Sequence, residues 1–263
     1  MIYLKIVDKD GNIKFKEAGK NVLATYEAKY EEGDKIVIEL ADTDKALVKL
    51  DETMAESFII LPEKKYEFTI PFGVAAKAYH PDAWNKEVNT ISVKSVSDEE
   101  FYAYRNVALN SASLRYNETC YPFAKANVVT RDEPWFEERN SIDGVLDNCS
   151  HGAYPYQSYA GGAREDIDYT LYFGGEVEFD KITIYLRADF ENDHDTYWKS
   201  FTAELSDGTR LPLTFVKTGE GQTFTFGKSF KTDKIHLTDF KQAAEPLSWA
   251  ALTQIEVYGK YVR

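Results

Sequence analysis

Apolar and polar residues alternate over short stretches along most of this chain, the signature of half-buried β-strands. Ile2, Leu4 and Ile6 share one face of such a stretch, Asp10-Gly11 follows as a hairpin turn, and Ile13 and Phe15 continue beyond it. Ile36, Ile38 and Leu40 follow a Gly33-Asp34 turn, and the same period links Phe58 with Ile60, Tyr66 with Phe68 and Ile70, and Ile91 with Val93. Short strands separated by turn residues predict a β-sandwich over the first hundred residues. Asn21 to Tyr30 fits two readings: Val22, Tyr26 and Tyr30 share a helical face, whereas the neighbouring segments argue for a strand. Ser97 to Glu100 opens a short helix, with Ser97 as N-cap and Glu100 completing a capping box.

The alternation weakens from Ser97 to Asn110, gives way to a loop-rich stretch from Ser111 to Asn148, and then returns strongly. Tyr169, Leu171 and Phe173 alternate, and Gly174-Gly175 is expected to turn the chain. Ile182, Ile184 and Leu186 then face one way while Thr183, Tyr185 and Arg187 face the other. Phe201, Ala203 and Leu205 precede an Asp207-Gly208 turn, and Leu211, Leu213 and Phe215 follow it. Phe224 with Phe226, Ile235 with Leu237, and Ile255 with Val257 complete the set. The expected fold class is all-β, with two β-sandwich domains at 1–104 and 105–263 and a boundary near Tyr104. No Gly/Ser or Pro-rich linker separates them, so they are expected to pack against each other.

Composition narrows the function. A net charge of -13 argues against a nucleic-acid surface, which needs clustered Lys and Arg to neutralise phosphates, and makes an acidic polymer a poor ligand. Arg187 or Arg164 can still form a local basic pocket, but a neutral ligand is the simpler expectation. The chain holds 18 Tyr and 16 Phe, most of which a β-rich fold packs away. Those in loops, around Tyr154, Tyr156, Trp198 and Trp249, are the ones that bear on binding. The two cysteines, Cys120 and Cys149, define no disulfide framework and read as reduced structural thiols. The first residues lack the apolar core of a signal peptide. That places the protein in the cytoplasm if residue 1 is the native start, and outside the cell or at its surface if a leader has been removed. No segment approaches the roughly 20 apolar residues that span a bilayer, so a soluble protein without membrane partners is expected.

The motifs NVALNSAS, SIDGVLDN, YTLYFGGEVEFDKITIYLR, FTAELSDGTRL and LTQIEVYG, in that order from Asn106 to Gly259, resemble the discoidin or coagulation-factor C-terminal type sandwich. That group includes the galactose-binding-like family 32 carbohydrate-binding modules. Bacterial members carrying HG, PYQS, RADF, DxYW and ALTQIEVYG in sequence are a closer likeness. The resemblance implies a jelly roll that binds sugar with the loops at one end, often with a structural calcium ion. Asp143 matches the family's calcium-binding Asp-Gly loop. Gln254 stands where the family has an acidic ligand, which lowers the negative charge at a hard-cation site. Equally, Asp143 can cap its own turn as an Asx motif.

Sugar binding needs an aromatic face for the C–H side of a ring and planar polar groups for its hydroxyls. His151, Tyr154, Tyr156 and Gln157 come from one loop, Arg187 and Asp189 from a strand end, Asp195 and Trp198 from the next segment with Tyr197, and Trp249 from the last loop. Arg187 and Asp195 are expected as hydroxyl clamps and Trp198 as the stacking platform. The structural alternatives are a Trp198 that fills the sandwich core and an Arg187–Asp189 salt bridge that only fixes the loop.

Catalytic motifs are sparse. Cys149 and His151 are two residues apart and can face the same way, and His194 with Asp195 suits acid–base work as well as hydroxyl binding. The leading expectation is a non-catalytic carbohydrate-binding protein that holds a neutral glycan at the loop end of the C-terminal jelly roll. Alternatives are a glycoside hydrolase or lyase with its site at the inter-domain cleft, or a protein-interaction scaffold. His80 to Trp84 is expected to cover the seam between the domains, and exposed edge strands leave homo-oligomer formation open.

Overall fold

The alternating stretches become strands in a computed structural model that describes residues 1–164, 166–189, 196–243 and 249–263. The first part contributes β1 (Ile2–Val7), β2 (Ile13–Gly19), β3 (Asn21–Tyr26), β4 (Lys35–Leu40), β5 (Lys45–Lys49), β6 (Ser57–Ile60), β7 (Lys65–Thr69) and β8 (Asn89–Lys94). They form two four-stranded antiparallel sheets, ordered β2-β1-β4-β7 and β3-β8-β5-β6. Ile2, Leu4 and Ile6 of β1 and Val22, Ala24 and Tyr26 of β3 turn inward into one buried cluster. That settles the ambiguous segment: Asn21 to Tyr26 is a strand, and Tyr30 follows in the loop after it, its ring 5.3 Å from that of Tyr26. β5 carries the same period in Ala46 and Val48, too short a run to stand out between its lysines. The capping box forms as expected at α1 (Asp98–Phe101), where Ser97 and Glu100 bond reciprocally.

The second part contributes β9 (Arg105–Asn106), β10 (Phe123–Ala126), β11 (Tyr169–Leu186), β12 (Trp198–Leu205), β13 (Arg210–Thr214), β14 (Gln222–Gln242) and β15 (Leu252–Tyr261). One sheet runs β13-β12-β14-β11-β15-β9, with β10 added to β11. Buried side chains from β11 to β15 meet in a single cluster. The all-β class is borne out.

Gly174-Gly175 does not turn the chain. β11 runs through both glycines, with Gly174 in the left-handed region and the register shifting between Tyr172 and Val177. A Cβ at Gly174 would lie 2.6 Å from Tyr121 Cβ, so the glycine serves a close approach inside a strand. Gly259 has the same use: a Cβ there would come within 2.3 Å of the Glu178 carbonyl oxygen.

Residues 110–122 bind the two parts together. Ile60 and Tyr121 exchange backbone hydrogen bonds, Ser111 Oγ donates to the Ala55 carbonyl, and Tyr66 Oη donates to that of Ala112. Ala112 and Cys120 are buried in the N-terminal cluster, while Ile60 belongs to the C-terminal one. In the His80 to Trp84 segment the two rings divide: Trp84 is buried against Phe68 and Tyr79, and His80 packs edge-on to Tyr154 across the junction. Among the described residues no helix is long and apolar enough to cross a membrane.

Trp198 corrects the sequence-based reading. It opens β12, is 1% exposed, and packs its ring 4.9 Å from Phe240. Phe201, Ala203 and Leu205 set the inward phase and a strict two-residue period would turn Trp198 outward, but the register with β14 shifts between Trp198 and Ser200 and again between Ser200 and Thr202, so the indole fills the core and is no stacking platform. Trp198→Ala should therefore lower the unfolding free energy by about 3–5 kcal/mol with an unchanged urea m-value. A loss below about 1 kcal/mol would contradict its burial.

Candidate functional site

Where β11 ends beside β15, the backbone continues as paired chain: the Arg187 amide donates to the Ala251 carbonyl at 3.1 Å, which brings residue 187 alongside the segment holding Trp249. Arg187 is 4% exposed and its guanidinium donates to the Trp249 carbonyl. Two residues on, Asp189 is 1% exposed and its carboxylate lies 2.6 Å from His151 Nδ1. Asn148 fixes the loop carrying His151, its amide donating to the carbonyls of Leu186 and Gly219 while its own carbonyl accepts from Ala188.

Arg187, His151 and Trp249 line one cavity of about 240 Å3. Its remaining wall comes from residues that motif reasoning missed: Thr130, Arg131, Phe136 and Ala160. Thr130 anchors that wall, with both its amide and Oγ1 donating to the Ala160 carbonyl at 2.8 Å. Arg131 pairs with Glu133 at 2.8 Å and lies 5.6 Å from the centre of the Phe136 ring. Their only signal was a Thr, an Arg and an aromatic inside a loop-rich stretch, which no periodicity singles out. Trp249 is 40% exposed, so the solvent-facing indole is this one and not Trp198.

The other expected residues fall elsewhere. Gln157 is buried and its amide nitrogen donates to Asp143 at 2.9 Å, while Tyr154 stands against His80; with Asp143, these two line a different cavity at the junction of the two parts. Tyr156 stands beside Cys149, whose charge raises the Tyr156 hydroxyl's pKa. Of the Cys149–His151 pair, the imidazole turns Nδ1 to Asp189 and Cys149 lies exposed. Asp195 and His194 lie outside the described residues. Thus His151, Asp189, Arg187 and Trp249 come together, and Tyr154, Gln157, Tyr156 and Trp198 do not join them.

Asp143 and Gln254 do meet, but as partners of N–H groups. Asp143 accepts from the Val145 amide at 2.8 Å as an Asx turn, as well as from Gln157, and Gln254 Oε1 accepts from the Gly144 amide at 3.3 Å. A calcium ion wants six to eight oxygens turned toward one point. Here each of the three side-chain oxygens already accepts one N–H bond, and among the described residues no group of three or more His, Cys, Asp or Glu that could hold a metal occurs. Burial pushes the Asp143 carboxyl up to about 6, against the pull of Gln157, Val145 and Arg139. Glu138, nearby in the same loop-rich stretch, is pushed up to about 7 by burial, with Arg115 at 3.7 Å only partly opposing it.

No protein-family model matches the chain, and no curated protein matches it. Among solved structures it is similar to chitosan-binding module 1 of a Paenibacillus sp. IK-5 chitosanase/glucanase, at 16% identity and TM-score 0.39, covering 59% of this chain and 99% of that one. It is also similar to the family 32 carbohydrate-binding module of C. perfringens NanJ in complex with galactose, at 15% identity and TM-score 0.35, covering 51% and 91%. A Streptococcus pneumoniae fucose-binding module matches at 14% identity and TM-score 0.39, covering 59% and 97%. The second of these carries the family designation that the sequence motifs resemble.

Two outcomes follow for the loops. The melting temperature should be the same in saturating calcium and in chelator, and a clear rise with calcium would show that the ion recruits oxygens now bound to N–H groups. Glu138 binds its proton more tightly folded than unfolded, so its stabilisation is full below about 4.5 and is lost as pH rises through about 7. Glu138→Gln should therefore gain in melting temperature relative to wild type as pH rises across that window, read by thermal melts at several pH values. A difference that is constant with pH would show that the carboxyl is not perturbed.

Proposed function

We propose that the protein binds carbohydrate without transforming it, and that the glycan is held in the cavity between Trp249, Arg187 and His151. The observation that carries this is the half-exposed Trp249 sharing one small cavity with a buried arginine and a His–Asp pair. The indole offers a face for the C–H side of a ring, and Arg187 and His151 offer directional groups for hydroxyls. The guanidinium bond to the Trp249 carbonyl ties platform and clamp together, which keeps their spacing fixed before a sugar arrives. A volume of about 240 Å3 suits one terminal sugar unit more than the interior of a chain.

Hydrolysis is supported less well than binding. Glycoside cleavage generally uses two carboxylates flanking the bond, and among the described residues none of the cavity's lining side chains is an Asp or Glu. Asp189 stands behind His151 and Glu133 beside Arg131, each committed to its partner. Arg131 being so paired also favours a neutral glycan over an acidic one.

A glycan array with wild type, Trp249→Ala and Trp249→Phe tests this reading. Wild type should bind a set of glycans sharing one terminal sugar. Trp249→Ala should lose at least about tenfold in affinity, and Trp249→Phe should retain part of it. No bound glycan, or equal binding by Trp249→Ala, overturns the proposal, and released reducing ends would make the protein an enzyme.

A further inference from the structure

A third cavity, of about 540 Å3, opens between the Gly33 turn and the end of β7 in the N-terminal part and residues 114–139 of the C-terminal part. Arg139 lines it, and lines neither of the two cavities described above. The residue is 5% exposed, and its guanidinium carbon lies 4.6 Å from the centre of the Tyr79 ring, which fixes the plane of the group. Nε donates to Glu137 at 2.6 Å. Among the described residues the two terminal nitrogens meet no acceptor, and neither is sealed from solvent. They therefore open into the cavity that the residue lines. Nη1 and Nη2 together form the fork that matches a carboxylate with two parallel bonds. Burying an arginine so deeply with most of its donors unbonded is costly, and an acceptor from outside the chain lowers that cost.

The other charges in the lining are engaged or exposed. Arg115 is bonded to Asp132 and lies 3.7 Å from Glu138. Glu137 is bonded to Arg139 itself, and Glu32 stands in water. Two arginines and two glutamates leave the lining neutral, so the direction of the free donors selects the ligand. The chain's net charge of -13 acts at longer range and is screened beyond about 8 Å at physiological ionic strength. Ile70, Phe72, Leu114 and Pro134 add apolar wall, and Tyr116, 79% exposed, carries its ring 4.5 Å from the Arg115 guanidinium. A hydroxyl fills one N–H at a time and gains little from apolar walls, whereas a carboxylate on a hydrocarbon body uses both features.

We propose that this cavity binds a small organic acid, a carboxylate carried on an aromatic or aliphatic body. The carboxylate sits bidentate on Nη1 and Nη2 of Arg139, and the body lies against Phe72, Leu114 and Pro134. The site is separate from the Trp249 cavity and does not depend on a glycan being bound there.

Calorimetric titration of the full chain with benzoate, benzamide and acetate tests the proposal. Benzamide keeps the body and loses the charge; acetate keeps the charge and loses the body. Benzoate should bind saturably, and each of the others at least about tenfold more weakly. Arg139→Lys keeps a positive charge without the fork and should weaken benzoate by at least about tenfold. Because Arg139 is buried, a change there also acts on the fold, and a surface variant supplies the second arm. Ala75 is exposed and lines the cavity, so Ala75→Glu should keep the wild-type melting temperature while its carboxylate opposes the acid, again by at least about tenfold. Trp249→Ala should bind benzoate as wild type does. Equal affinity for benzoate and either analogue, wild-type binding by Arg139→Lys or Ala75→Glu, loss of binding in Trp249→Ala, or no saturable binding at millimolar concentration would each overturn it.

Discussion

Asn110 holds the molecule's two cores in register. Its side chain is completely buried, and burying an amide is favourable only if its donors and acceptor are bonded. The amide nitrogen donates to the Pro122 carbonyl at 2.8 Å and toward Cys120 Sγ at 3.4 Å, and its oxygen accepts from the Ala112 amide at 3.0 Å. One side chain thus closes the loop that delivers Ala112 and Cys120 into the N-terminal cluster. The Asn110 amide also donates to the Ile142 carbonyl at 2.8 Å, so the same residue fixes the chain just before Asp143. Junction cavity and Asx turn both inherit their positions from it. Arg139 adds a second tie, bonded to Glu137 at 2.6 Å and lying 4.6 Å from the centre of the Tyr79 ring.

Alternation was legible wherever one face of a strand is buried, because that burial imposes the two-residue period on the sequence. It carried Ile2 to Ile6, Ile182 to Leu186 and Phe201 to Leu205 into place, and the Asp207-Gly208 turn with them. Gly174-Gly175 misled because a glycine needed for a turn and one needed for a close approach look alike in sequence; only Tyr121, 53 positions away in the chain, decides between them. Of the residues that the resemblance singled out, Arg187, Asp189, His151 and Trp249 are brought together at one end of the C-terminal sheet. Trp198 was placed on the surface, as the phase of Phe201, Ala203 and Leu205 would have it, and a register shift against β14 that no sequence pattern records turns it inward. Thr130, Arg131 and Phe136 were hidden because their role comes from a contact with residue 160, and no local pattern records a contact between loops.

The stretch from His151 to Gln157 looked like one binding loop and is divided between two cavities. Its ends face different chemistry. His151 stands with Arg187 beside the Trp249 indole. Tyr154 and Gln157 stand with Asp143 and Asp147, where acceptors dominate. The two linings thus differ in charge, one carrying two arginines and the other two carboxyl groups.

Whether the two cavities act on each other depends on the segment they share, and its anchors argue for independence. The Tyr154 amide donates to the Lys77 carbonyl, and the Tyr156 amide to that of Ala153. Ser158 bonds to Trp135, and Tyr159 exchanges both backbone bonds with Leu252 at 2.8 Å. Coupling between sites requires an element with two arrangements whose balance each ligand shifts. A segment bonded to both parts of the chain within eight residues offers one arrangement, because a second would break several of these bonds together. The walls of both cavities are thereby tied to one fixed segment.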